Sequence, residues 1–185
     1  MVPLTSLWLP ILLSAVVVFV LSSLLHMVLT YHRSDYKKLP NEEKLLDAIR
    51  NENPVRGAYF FPYCSHKEMG SPETVEKFKK GPVGLMTVLP SGPPSMGKSL
   101  TQWFLFCVVM GIFVAYLTGR VLQAGAAYLA VFRVAGTVAF VGYSASQVTD
   151  SIWRGQAWSA TIKHMFDGLL YSLFTAGVFG WLWPR

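Results

Sequence analysis

The stretch from Gly92 to Ser99, GPPSMGKS, fits the pattern G-x-x-x-x-G-K-[ST], in which backbone amides and a lysine hold nucleotide phosphates. Such a loop lies between a buried strand and a helix, near a second strand that ends in an aspartate for Mg²⁺. Here an apolar run follows the motif, and only Asp150 and Asp167 are acidic beyond it. We therefore expect no bound nucleotide, and we expect Lys98 to contact lipid headgroups at the start of a membrane helix.

Polar residues inside one apolar run suggest a site within a membrane. Arg133 lies deep in the apolar run at about 125–146. Helix geometry at 100° per residue puts Thr137 and Ser144 on the same face as Arg133. An arginine inside a membrane is usually functional. The alternative is that its long side chain reaches outward to the headgroups.

His26 and Asp167 form a second candidate pair, because each lies near the same end of its apolar run. A contact between them would either move protons or tie the first membrane helix to the last. We favour the structural tie, since both residues lie close to water. Haem ligation by His26 and His164 is a more remote alternative, because His164 lies just outside its run.

The remaining reactive residues do not form a recognisable site. Cys64 and His66 are spaced like half of a metal site, but no second close pair completes four ligands. The only other cysteine, Cys107, lies in an apolar run, so both thiols are predicted to be reduced. No local stretch combines a nucleophile, a base and an orienting group. We therefore predict no catalytic residue, no metal and no cofactor.

The composition indicates a membrane protein with one polar loop. Of the 185 residues, 52% are hydrophobic and 14% are charged, against about 25% charged in soluble domains. Eight of the ten acidic residues and eleven of the sixteen Lys and Arg residues lie between Tyr31 and Leu100. The net charge of +6 is what basic loops beside membrane spans produce, so we do not expect nucleic-acid binding.

Four apolar runs are long enough to cross a bilayer, which takes about 20 helical residues. The first run lies within residues 1–30, and residues 101–185 contain the other three, at about 101–119, 125–146 and 165–183. The predicted fold is therefore an all-α membrane protein with four transmembrane helices. The polar segment 31–100 is predicted to form a small α+β or irregular cap between the first two.

The cap contains signals for two helices and two strands. Asn41 before two glutamates is a predicted N-cap, and Ser71-Pro72-Glu73 predicts the start of a second helix. Residues 57–63 and 83–89 are predicted to be short apolar strands.

Cations follow the first apolar run, in the stretch 32–38. The positive-inside rule therefore predicts a cytoplasmic 31–100 loop, with both termini outside a bacterial-type cytoplasmic membrane.

Small side chains at four-residue spacing indicate close helix packing, within one chain or between protomers. The residues predicted to pack in this way are Ser172, Ala176, Gly180, Gly136 and Ala139. The predicted partners are the lipid bilayer and other membrane proteins or a second copy of the chain. We expect a non-enzymatic membrane subunit, scaffold or assembly factor; the alternatives are a small oligomeric transporter or channel and, third, a membrane enzyme.

Overall fold

The computed structural model describes residues 1–185 and divides the chain into two compact units. One unit combines Met1–Tyr36 with Ser95–Arg185 and is a bundle of long helices; the other is Lys37–Pro94. Along the chain the helices are α1 (Trp8–Ser23), α2 (Glu42–Glu52), α3 (Pro72–Lys80), α4 (Met96–Val121), α5 (Tyr128–Arg154) and α6 (Trp158–Trp181), and the strands are β1 (Gly57–Phe61) and β2 (Gly84–Val88).

Three segments are long and apolar enough to cross a membrane: Leu4–Val28, which contains α1, and the helices α4 and α5. The prediction of a mostly helical membrane protein is confirmed at this level, with three candidate spans instead of four. The fourth predicted span, 165–183, lies largely in α6. This helix is not among the three because Lys163, His164 and Asp167 lower the hydropathy of its first turns.

The second membrane helix begins earlier than predicted. Helix α4 starts at Met96, so the Gly-Lys-Ser of the phosphate-loop pattern lies within its first turn. Ser95 is the N-cap residue and its side chain makes no capping hydrogen bond. Ser99 and Thr101 therefore lie within the helix, and the Thr101 hydroxyl donates to the Gly97 carbonyl oxygen, 2.9 Å away. The helix begins two residues after Pro94, because a proline disfavours helical angles in the residue before it.

A stripe of small residues on α4 brings this helix close to the N-terminal segment. A methyl group added to Gly111 would lie 3.1 Å from the Ile11 carbonyl oxygen, and one added to Gly119 would lie 2.7 Å from that of Val2. Between them, Ala115 is 1% exposed. The Val2 amide also donates to the Gly119 carbonyl oxygen, at 2.9 Å. This stripe, at the four-residue spacing typical of close helix packing, was not predicted from the sequence.

The interface of α6 with α5 contains the small residues that the sequence singled out. A methyl group on Gly136 would lie 3.1 Å from the Ala176 Cβ, and one on Gly180 would lie 2.7 Å from the Tyr128 ring. Ala139 is fully buried, and Ser172 is 2% exposed. These residues pack helices of the same chain against one another.

The smaller unit contains the two predicted strands, which pair antiparallel with Gly57 opposite Val88. Helix α3 begins as predicted, because the Ser71 side chain accepts a hydrogen bond from the Thr74 amide. Asn41 precedes α2, but its side chain makes no capping bond. A two-stranded antiparallel sheet differs from the parallel sheet of a nucleotide-binding phosphate loop.

Candidate metal centre

The end of α1 is shaped so that two histidines six residues apart come together. The helix ends in a wide π-helical turn, Leu24–Val28, in which the Leu29 amide donates to the Leu24 carbonyl oxygen at 3.2 Å. A tight turn at Tyr31–Asp35 follows. The rings of His26 and His32 consequently stack, with their centroids 4.5 Å apart and their planes 10° from parallel. Turns of the π type are often found at functional sites.

Helix α6 supplies two further groups from one of its faces, since residues three apart are neighbours on a helix. The His164 ring stacks on His32 with a centroid distance of 4.9 Å. The Asp167 carboxylate, only 3% exposed, has Oδ2 2.7 Å from the His32 Nε2 atom. The same oxygen lies 3.9 Å from His26 Nε2 and 4.0 Å from His164 Nδ1. One nitrogen from each of the three imidazoles and one carboxylate oxygen thus all lie within 4.8 Å of one another.

Two of the imidazoles are oriented by hydrogen bonds on the side away from Asp167. The His26 Nδ1 atom lies 3.0 Å from the Ser22 carbonyl oxygen, which can only accept, so Nδ1 carries the proton and Nε2 has a free lone pair. The His32 Nδ1 atom donates to Asp35 Oδ2 at 2.7 Å. Histidines that bind metals characteristically donate their second nitrogen to a carbonyl or a carboxylate in this way.

Lys163 fixes the turn that carries His32. Its ammonium donates to an Asp35 oxygen at 2.6 Å, and to the Tyr31 carbonyl and the Ser34 hydroxyl at 2.7 Å each. Burial acts to raise the pKa of the Asp35 carboxyl, but the hydrogen bonds from Lys163 and His32 prevail and hold this pKa below its usual range. Asp35 is therefore ionised at neutral pH.

Tyr31 completes the polar network around Asp167. Its hydroxyl donates to the second carboxylate oxygen, Oδ1. Burial, and then the hydrogen bond to Asp167, raise the pKa of the Tyr31 phenol. The phenol therefore remains a neutral donor, and each oxygen of the carboxylate has a defined partner.

The four groups suit a first-row divalent metal ion. Ligand atoms around a tetrahedral zinc ion at 2.0–2.1 Å are about 3.3 Å apart. Binding therefore requires the four atoms, which lie within 4.8 Å of one another, to move closer and the stacked imidazole rings to rotate toward the ion. Imidazole nitrogens with one carboxylate oxygen favour zinc or iron over magnesium or calcium. Haem ligation by His26 and His164 does not fit, because both rings stack on His32 instead of facing an open space.

A cavity of about 570 Å³ lies beside the cluster, and His26, His164 and Asp167 form part of its wall. The remaining wall comes from α1 and the turn after it, α4, α5 and α6, and its apolar side chains include Met27, Leu100, Trp103 and Phe106. An ion held by the four groups would therefore border a space large enough for a small ligand.

The three residues predicted to share a face of α5 do not form one site. Arg133 and Thr137 are exposed, and Arg133 makes no hydrogen bond or ion pair within the chain. Ser144 is fully buried and donates to the Met165 carbonyl oxygen at 3.4 Å. The start of α6 covers the helix face at Ser144 and leaves it open at Arg133, and a functional role for these three residues stays a prediction.

The other candidate residues differ in their placement. His26 and Asp167 are brought together as the sequence suggested, and two more histidines join them. Lys98 is exposed in the first turn of α4. Cys107 is buried in the bundle, whereas Cys64 is half-buried in the smaller unit, and both are free thiols.

Sequence reasoning missed His32, Asp35, Tyr31 and Lys163, which it treated only as part of a polar boundary. The available signal was the three-residue spacing of His164 and Asp167, which places both on one face of a helix. The prediction of no metal came from a search for close ligand pairs along the chain, whereas this cluster joins residues more than 130 positions apart.

Comparison with known proteins found no matching family model, and neither a curated protein nor a solved structure showed significant similarity. The fold and the cluster by themselves define the class: a membrane-associated helical bundle with three histidines and one aspartate gathered at one end.

Proposed function

We propose that the protein binds a divalent transition-metal ion at His26, His32, His164 and Asp167. The observation that supports this most strongly is the convergence of three imidazole nitrogens and one carboxylate oxygen within 4.8 Å. A tie between helices needs one histidine and one carboxylate, so it does not account for the other two rings. With Nδ1 hydrogen-bonded to Ser22 and to Asp35, the Nε2 atoms of His26 and His32 lie 3.9 and 2.7 Å from the same Asp167 oxygen.

The proposed setting is a bilayer crossed four times. Helix α6 has 24 residues, which span about 36 Å at 1.5 Å per residue, and it packs against α1 and α5. Its polar residues lie in its first turns, where they meet the polar end of α1. The proposed membrane is a bacterial-type cytoplasmic membrane with the 31–100 loop inside and both termini outside, because basic residues follow the first span.

The orientation is tested by cysteine labelling in intact cells with a probe that does not cross membranes. In a variant without Cys64 and Cys107, a cysteine at Gln123 should react and one at Lys77 should not. The reverse pattern would overturn the proposed orientation.

The cavity favours the membrane enzyme, the class that the sequence analysis ranked third. Structural zinc sites are closed by four protein ligands, whereas in catalytic sites water or substrate also reaches the ion, which can expand to five ligands. Here three of the four ligand residues line a cavity. The non-enzymatic subunit and the oligomeric transporter stay predictions, as does association with other membrane proteins.

Calorimetric titration of zinc into the metal-free full-length protein in nanodiscs tests the site. We expect one ion per chain, bound at least tenfold more weakly by His32→Ala and by Asp167→Asn. His66→Ala is the matched control, because His66 is the fourth histidine and lies in the other unit. Absence of stoichiometric binding, or equal effects of His32→Ala and His66→Ala, would show that the cluster is only a charge network.

A further inference from the structure

We infer that the cavity beside the metal centre binds a single-chain amphiphile with an anionic oxygen head group, a carboxylate or a phosphate. The head group would bind the ion from the cavity side as a fifth ligand, and the chain would lie against the apolar wall of the cavity. This inference rests on the proposed metal site, but it concerns a separate set of residues.

The charge of the centre selects an anion. Three neutral imidazoles and one carboxylate leave one positive charge on a divalent ion. The ammonium of Lys163 cannot serve instead, because Asp35, Tyr31 and Ser34 already take its three hydrogen bonds. An anionic oxygen that enters the cavity would therefore bind to the metal ion.

The wall of the cavity suits a hydrocarbon chain. Trp103, Phe106 and Leu100 of α4 form part of it. The Trp103 indole is held in place, because its N–H donates to the Ser22 hydroxyl at 2.8 Å and its ring stacks on Phe106 with a centroid distance of 5.6 Å. A fixed aromatic wall orders a flexible chain with little further loss of entropy in the protein.

The rim of the cavity indicates entry from an apolar surrounding. Met27 and Met96 line it and are 78% and 69% exposed. Flexible methionine side chains adapt to apolar ligands of varied shape. The volume of about 570 Å³ suits a ligand of drug size, which favours one chain over a two-chain phospholipid.

The inference is tested by calorimetry on the full-length protein in nanodiscs of zwitterionic lipid, with and without zinc. Laurate and dodecyl phosphate carry the two anionic heads, dodecanol carries the chain without charge, and inorganic phosphate carries charge without the chain. We expect at least one of the two anionic amphiphiles to bind at least tenfold more tightly with zinc than without it. Dodecanol and inorganic phosphate should each bind at least tenfold more weakly than that ligand.

A second measurement separates the cavity from the metal site. Ser146 lines the cavity, so Ser146→Trp should reduce binding of the anionic amphiphile at least tenfold and leave zinc affinity unchanged. Ala145→Trp, at an exposed neighbouring position outside the cavity, should bind zinc and the anionic amphiphile with the affinities of the parent.

The outcomes separate the two proposals. Zinc binding without zinc-dependent binding of either amphiphile would overturn this inference and leave the metal site standing. Equal binding of dodecanol, or amphiphile binding that Ser146→Trp does not change, would overturn it as well. A parent protein that binds no zinc would refute the metal site itself.

Discussion

Asp35→Asn tests whether the carboxylate behind His32 prepares this ring for a metal. In the parent protein one Asp35 oxygen accepts from His32 Nδ1 at 2.7 Å and the other accepts from Lys163 Nζ at 2.6 Å. Asparagine keeps the shape of the side chain but has one acceptor and one donor in place of two acceptors.

The amide has one favourable orientation. Its oxygen must face Lys163, because an NH₂ group cannot hydrogen-bond an ammonium. Its NH₂ then faces His32 Nδ1, which becomes the unprotonated nitrogen. The only ring proton then lies on Nε2, the atom that is 2.7 Å from Asp167 and that would bind the ion.

The expected effect is a fall in zinc affinity of about 10–100-fold, the usual consequence of losing a carboxylate that orients a histidine ligand. This corresponds to about 1.4–2.8 kcal/mol of binding free energy. The assay is calorimetric titration of the metal-free protein in nanodiscs, with thermal unfolding measured in parallel to confirm that the variant is folded.

Asp47→Asn is the matched control, because Asp47 forms an exposed ion pair with Arg50 at 2.6 Å in the other unit. Its zinc affinity should equal that of the parent. Parent-like affinity in a folded Asp35→Asn protein would refute the orienting role of Asp35.

Three further predictions concern helix packing and the phosphate-loop pattern. Gly119→Ala places a methyl group 2.7 Å from a backbone oxygen and should lower the unfolding temperature in detergent by several degrees, because overpacking costs about 1–3 kcal/mol. Gly97→Ala adds a methyl group on the same helix with no atom within 4 Å and should not lower the unfolding temperature. Equal decreases for the two variants would contradict the close packing of Gly119 against Val2. Ala176→Leu should aggregate or fail to accumulate, since Gly136 approaches it closely; parent-like migration in mild detergent would count against this interface. The parent should bind no Mg²⁺-ATP up to millimolar concentration, and micromolar binding that Lys98→Ala abolishes would overturn our interpretation of the motif.

The parts of the fold that depend on local composition were predictable. The long apolar runs predict helices because a buried backbone in a membrane must satisfy its own hydrogen bonds, and three of the four predicted runs meet the criteria for a membrane span. The strands of the smaller unit were likewise predictable from short apolar stretches between turn residues. The fourth predicted run is not among these spans, because polar groups of the site lie in the first turns of the same helix.

The site depends on contacts that no local pattern records. The positions of His26 and His32 relative to each other are set by a π-helical turn and the bend after it, and neither has a distinct sequence signal. The different surroundings of Ser144 and Arg133 have a related cause. Helix periodicity predicts which residues share a face, but it does not predict where along that face a neighbouring helix begins to cover it.

The π-helical turn that carries His26 gives α1 two regions of unequal stability. Its hydrogen bond from Leu29 to Leu24 spans one residue more than an α-helical bond and is long, at 3.2 Å. Local opening of this turn breaks few bonds and leaves Trp8–Ser23 folded. In hydrogen–deuterium exchange, the amides of residues 24–29 should therefore exchange well before those of 8–23, and a ligand that holds His26 should slow that exchange.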